Sequence, residues 1–105
     1  HPEINLLYGP YDEMVLGGIV IVKERNLQSQ IHSVGFGCTK DGITAIKNGD
    51  MDATINVHEY ETGYDIIDAI DKFCVKGETV QKVINRDPTV IDKTNINSID
   101  LSHFM

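Results

Sequence analysis

Three places in this sequence hold residue types with chemistry to offer. The first is the run Ser33 to Ile43, where Gly35 and Gly37 flank Phe36 at the end of an apolar stretch and Thr39 and Asp41 follow at once. Glycines permit a tight turn, a threonine hydroxyl caps a helix, and a carboxylate in the first turn complements the positive end of the helix dipole. In open α/β sheets ligands collect at such strand ends, which makes this turn the first candidate binding surface, although ordinary βα loops use the same chemistry without holding a ligand. Cys38 stands at this helix start, where thiol pKa values can fall, but no His or Lys relay lies beside it and the thiol is expected to be unreactive. The second place is His58-Glu59-Tyr60-Glu61, which lacks the spacing of a metalloprotease helix. The third is Asp65, Asp68 and Asp71, an acidic stripe whose plain reading is a solvated helix face rather than a metal site.

No catalytic set accompanies them. There is no nucleophile elbow, no phosphate loop of the GxxxxGK type and no zinc spacing in the two cysteines, Cys38 and Cys74. The expectation is a protein that is not an enzyme and needs no metal or cofactor. With 105 residues the chain holds one modest core at most. Nine basic against 16 acidic residues give a net charge of −7, which repels phosphate backbones and argues against a nucleic-acid partner. No apolar run approaches the roughly 20 residues that span a bilayer, and the opening His-Pro-Glu-Ile is not a leader. The chain is therefore expected to be soluble, and mature or cut from something longer.

The elements that must position these residues alternate along the chain. Ile4 to Tyr8 reads as a strand closed by Gly9-Pro10. Tyr11 to Asn26 reads as a buried helix, with Asp12 and Glu13 in its first turn, Lys23 and Arg25 in its last, and Asn26 as a left-handed stop. Gly17 and Gly18 inside it suggest close approach to a sheet. Ile31 to Gly37 is the second strand, and Gly42 to Lys47 a helix stopped by Asn48-Gly49. Residues 53–58 alternate, with Ala53, Ile55 and Val57 on one face and Thr54, Asn56 and His58 on the other. Thr62 to Asp65 has the form of a capping box opening a helix that buries Ile66, Ile67, Ala69, Ile70, Phe73 and Cys74 and ends at Lys76-Gly77. Then come a polar connector, Pro88, the apolar pair Val90-Ile91 and a turn over Ser98 to Leu101. The order βαβαβα plus a late strand predicts an α/β fold with a parallel sheet and right-handed crossovers.

A resemblance is carried by Asp12-Glu13-Met14-x-Leu16-Gly17-Gly18, then Val34-Gly35-Phe36-x-x-Thr39-x-x-Gly42-Ile43-x-Ala45-Ile46-x-x-Gly49, then Ala53-Thr54-Ile55 and Gly63. In this order and spacing they resemble the C-terminal portion of the type I periplasmic sugar-binding proteins of the ribose-binding kind, over roughly residues 3 to 92. That family has two Rossmann-like lobes joined by three hinge crossings, with a small solute trapped between them. The resemblance implies that residues 1–57 are the second half of the C-terminal lobe. Residues 58–86 would be a hinge crossing and a helix that packs on the N-terminal lobe, and residues 87–105 the return strand and tail.

It also implies ligand positions, and this sequence departs from the family at each of them. Tyr11 stands where Asn is usual, Gly37 where Asp follows the strand's Phe, and Val57 where a polar residue, often Gln, ends the third strand. Each hydrogen bond so lost to a sugar costs on the order of 1 to 3 kcal/mol. Tyr11 offers a face for stacking, and Asn56, His58, Glu59 and Tyr60 offer replacement donors and acceptors near the hinge.

Three functions compete. The resemblance implies a periplasmic or extracellular solute-binding protein or a fragment of one, free or held to the membrane as a lipoprotein, serving an ABC permease or a chemoreceptor. The alternative is the sensing domain of a membrane receptor or two-component system for a sugar or furanosyl signal, which the altered ligand positions favour slightly. The lactose-repressor type is disfavoured by Asn48 to Ile55, which looks more like the transport branch. The missing N-terminal part, or a swapped copy of the chain, is the expected protein partner, and alone the segment is not expected to be a cooperative monomer.

Overall fold

The computed structural model describes residues 1–100 and residue 102. Its elements run β1 (Leu6–Tyr8), α1 (Asp12–Glu24), β2 (His32–Val34), α2 (Lys40–Asn48), β3 (Ala53–Asn56), α3 (Glu59–Ile70) with a wider helical turn over Asp71–Val75, β4 (Thr89–Asp92) and a 3-10 turn over Ile96–Ser98. The sheet order is β1-β2-β3-β4, with β1, β2 and β3 parallel. The late strand departs from the all-parallel expectation: β4 runs antiparallel to β3, pairing Asn56 with Thr89 and Ala53 with Asp92. A return strand entering from beyond α3 meets the sheet at the same end at which β3 leaves it, so no crossover reverses its direction. The expected turn over Ser98 to Leu101 is a 3-10 turn lying slightly earlier, and Leu101 lies outside the described residues.

Helices α1 and α2 pack against each other and against the sheet. The core between them is Val15 and Ile19 from α1, Cys38, Ile43, Ala45 and Ile46 around α2, then Met51, Ile91 and Ile96. Helix α1 is thus not the buried helix its composition suggested: Val20 and Ile21 are about half exposed, and only the stripe facing α2 and β1 is covered. Its glycines separate in the same way. A Cβ on Gly18 would lie 2.6 Å from Leu7 of β1, the expected approach to the sheet, whereas a Cβ on Gly17 would meet nothing. The stops are as read from sequence, with Asn26 at φ 57° and Gly49 at φ 82°, and the Thr39 hydroxyl accepts from the Gly42 amide at 3.2 Å.

One carboxylate ties these pieces together. Asp12 opens α1 and is fully buried, not a surface charge on the helix dipole. Its Oδ1 accepts the Thr54 hydroxyl of β3 at 2.6 Å. Its Oδ2 accepts the Thr39 amide at 2.7 Å and the Thr39 hydroxyl at 3.1 Å. Thr54 Oγ1 in turn accepts the Cys38 amide at 3.2 Å, and the Asp12 amide donates to Phe36 O at 3.0 Å. This explains why Thr54, rather than its apolar neighbours, is the fully buried residue of β3. It also explains two glycines, since a Cβ on Gly35 or on Gly42 would collide with the Asp12 carboxylate.

Helix α3 behaves differently. It begins at Glu59, not at Thr62, because His58 in the left-handed region (φ 57°) starts it. Thr62 is no cap: its hydroxyl and its amide both donate back to His58 O, at 2.8 and 2.9 Å. None of α3 is buried, and the expected buried side is open, with Ile66 54%, Ile67 66% and Phe73 63% exposed. The acidic stripe is ion-paired instead of ligating, Asp65 with Arg86, Asp68 with Lys72 and Asp71 with Lys76. The chain measures 59 × 28 × 20 Å with a radius of gyration of 17.6 Å, against about 13 Å for a compact domain of this length.

Two substitutions of one type should have opposite signs. Gly17→Ala should stabilise α1 by about 1 kcal/mol, because it adds helix propensity in open space. Gly42→Ala should destabilise, because it forces the Asp12 carboxylate away from Thr39. Amide hydrogen exchange across α1 and α2 reads both, and equal effects would contradict the packing. By the same measurement Asp12→Ala, which strands the Thr39 amide and the Thr54 hydroxyl at about 1–3 kcal/mol each, should speed exchange at Cys38 and Thr39 about 100-fold.

Candidate functional site

The carboxyl ends of three parallel strands, held level by Asp12, open into a groove of about 580 Å³. Its lining includes Gly37, Cys38 and Thr39 from the turn after β2, Asn56 from the end of β3, and His58, Glu59, Tyr60 and Glu61 at the start of α3. Ile99 and Asp100 of the tail close one side. Five of the seven residues expected at a site are therefore together. Tyr11 stands apart: it precedes α1 in extended conformation, caps nothing with its side chain and is 58% exposed. Val57 faces a second cavity of about 480 Å³ on the other side of α3, between Thr62, Asp65 and Ile66 and the connector residues 81–86.

Local backbone rules place these groups. Gly37 takes φ 110°, a conformation open to glycine, and Cys38 follows at φ 54°. The Gly37 amide donates to Ile55 O at 2.9 Å, so this turn is tied to β3 from below. Asn56 folds its side chain forward, and its Oδ1 accepts the His58 amide at 2.9 Å. That turn and the left-handed His58 swing the chain out of the sheet into α3. The His58 ring reaches back, with Nε2 hydrogen-bonded to Thr89 Oγ1 of β4 at 3.1 Å and Nδ1 3.9 Å from Glu61 Oε2.

The groove is acidic. Glu59, Glu61 and Asp100 line it, and among the described residues no lysine or arginine does. The Tyr60 and Tyr64 rings lie 5.2 Å apart and tilted by 60°, and a hydrogen bond with Tyr64 raises the Tyr60 phenol above its ordinary value. Burial, followed by the charges of Asp12 and Glu59, pushes the Cys38 thiol up to about 11. The position at a helix start does not activate it, because the thiol is fully buried in the core. Among the described residues no group of three or more His, Cys, Asp or Glu side chains is arranged to hold a metal ion. Sequence reasoning missed Asp12, Ile99 and Asp100. Asp12 was visible only as a first-turn acid, and the tail joins the groove because Ile96 plugs into the core, a contact that no local pattern announces.

No protein-family model matches the chain. The ribose import binding protein RbsB of Haemophilus influenzae is 36% identical over 91 residues, 87% of this chain and 30% of that protein. A periplasmic solute-binding protein of an ABC transporter from Actinobacillus succinogenes 130z, solved with bound D-allose, superposes with a TM-score of 0.81 at 23% identity, over 94% of this chain and 35% of the other. The fructose binding periplasmic domain of a hybrid two-component system superposes with a TM-score of 0.78 at 20% identity, over 93% and 33%. The chain spans about a third of the length of the proteins it matches. Over that third, in sequence and in fold, it belongs to the type I periplasmic sugar-binding proteins of the ribose-binding kind.

Proposed function

We propose that this chain forms one wall and the hinge of a clamp that closes on a small neutral carbohydrate and presents it to an ABC permease at the outer face of the cytoplasmic membrane. One observation carries the reading: the groove at the strand ends lies where the chain leaves the sheet through Asn56 and His58. A ligand seated there touches the lobe and the hinge together, so its binding energy can favour the closed arrangement.

On this reading residues 1–57 belong to the C-terminal lobe, residues 58–86 cross the hinge and lay α3 on a second lobe, and residues 87–105 return. The open side of α3, with Ile66, Ile67, Ile70 and Phe73 exposed, supports that division. The second lobe comes from the rest of a longer protein or from a swapped copy. Asn56, His58, Glu59 and Tyr60 supply donors and acceptors to hydroxyl groups and Gly37 leaves the backbone accessible, whereas Tyr11 and Val57 stand outside the groove. Three carboxylates and, among the described residues, no lysine or arginine in the groove disfavour phosphorylated sugars. The protein works in the periplasm or outside the cell, in solution or as a lipoprotein, and it binds without transforming its ligand.

The likeness to the periplasmic domain of a hybrid two-component system gives a second reading, in which the same closure is reported to a membrane sensor. A chain carrying both lobes, screened by thermal shift against neutral pentoses, hexoses and furanosyl compounds, tests the common core of the two. At least one should stabilise the protein, by about 2.7 kcal/mol at a hundredfold excess over Kd, and the corresponding sugar phosphates should not. Stabilisation by sugar phosphates alone, or by none of these compounds, would overturn it.

A further inference from the structure

The residue at which α3 leaves the sheet does more than connect. His58 holds a left-handed backbone without being glycine. Its amide donates to Asn56 Oδ1, and its carbonyl accepts both the amide and the hydroxyl of Thr62, so the backbone on either side of it is pinned. Its ring then bonds Thr89, the residue that pairs with Asn56 where the returning strand re-enters the sheet. The outgoing and returning crossings are thus joined by one side chain. The Glu61 carboxylate lies on the Nδ1 side, 3.9 Å away. The ring is only partly exposed, with its side chain at 28%.

We infer that the His58–Thr89 bond is a latch across the hinge, which couples the two crossings and restricts the angle at which the α3 arm stands relative to the sheet. The inference rests on the hinge assignment above, yet it concerns a property of this chain without ligand. A bond between neighbouring crossings makes them bend as a pair, and the hydrogen bonds on either side of His58 resist the rotation that one crossing alone would make. The ion pair of Asp65 with Arg86 lies within the segment that would move with the arm.

The chain supplies its own reporter. Cys74 is exposed at the end of the arm, whereas Cys38 is buried with its thiol raised, so a thiol spin label attaches selectively at Cys74. A second label at Lys47→Cys, on the exposed last turn of α2, gives an arm-to-lobe distance distribution by electron double resonance. Thr89→Val, which keeps the shape and removes the hydroxyl, should broaden that distribution, and Thr89→Ser should leave it as narrow as the parent. His58→Gly, which removes the ring and frees the backbone, should broaden it at least as much as Thr89→Val. A Thr89→Val distribution equal to the parent's, or a Thr89→Ser distribution as broad as that of Thr89→Val, would overturn the latch. Because no sugar is present, that outcome is separate from a failed ligand screen.

Discussion

The buried carboxylate of Asp12 is the constraint from which the groove end of the sheet follows. It sits at the start of α1 and accepts from the Thr39 amide and hydroxyl and the Thr54 hydroxyl, so the first helix, the turn after β2 and the third strand converge on two oxygen atoms. A buried charge is tolerable only when its lone pairs are met by donors, and here every donor is itself fixed in the backbone or in a bonded hydroxyl. The close fit dictates its neighbours: Gly35 and Gly42 have no side chain because the carboxylate occupies that space. Among the described residues no buried side-chain polar atom is left without a partner. The strand ends that open into the groove are level because this network holds them so.

Beyond that rim the physics changes. Up to β3 the chain is a packed layer, with isoleucines of α1 and α2 over the sheet and Met51, Ile91 and Ile96 closing the core. From Glu59 to Val75 it is an arm whose apolar residues lie in the open. Amphipathic helices are stabilised mainly by the face they bury, so α3 by itself is held by local pairs such as Asp68 with Lys72. The contrast between a satisfied polar hub and an unsatisfied apolar arm fits the proposed two-part clamp: one part that is rigid, and one whose stability comes from the other side.

Much of this was legible in the residues. The alternation of strand and helix, the Thr39 cap and the left-handed stops at Asn26 and Gly49 follow from local chemistry, whereas the gathering of Asn56, His58, Glu59 and Tyr60 with the Gly37 turn was implied by the resemblance. The misses share a cause. Periodicity says which residues lie on one face but not whether anything covers it, which is why α1 and α3 read as buried on sides that are open here. The capping signature at Thr62 lost to an earlier start because the Asn56 side chain and a left-handed His58 already satisfied the chain's exit from β3. The burial of Thr54 and the role of Asp12 arise between residues 42 positions apart, beyond the reach of any window. The antiparallel return of β4 depends on where α3 takes the chain, which composition does not encode.

The claim on which the account rests is that the arm stands away from the lobe because its partner surface is elsewhere. Small-angle X-ray scattering of the monomeric fraction of this chain in dilute solution tests it directly. An elongated particle with a radius of gyration near or above 17.6 Å is the predicted result. A compact particle near 13 Å, with α3 folded onto its own sheet, would contradict it.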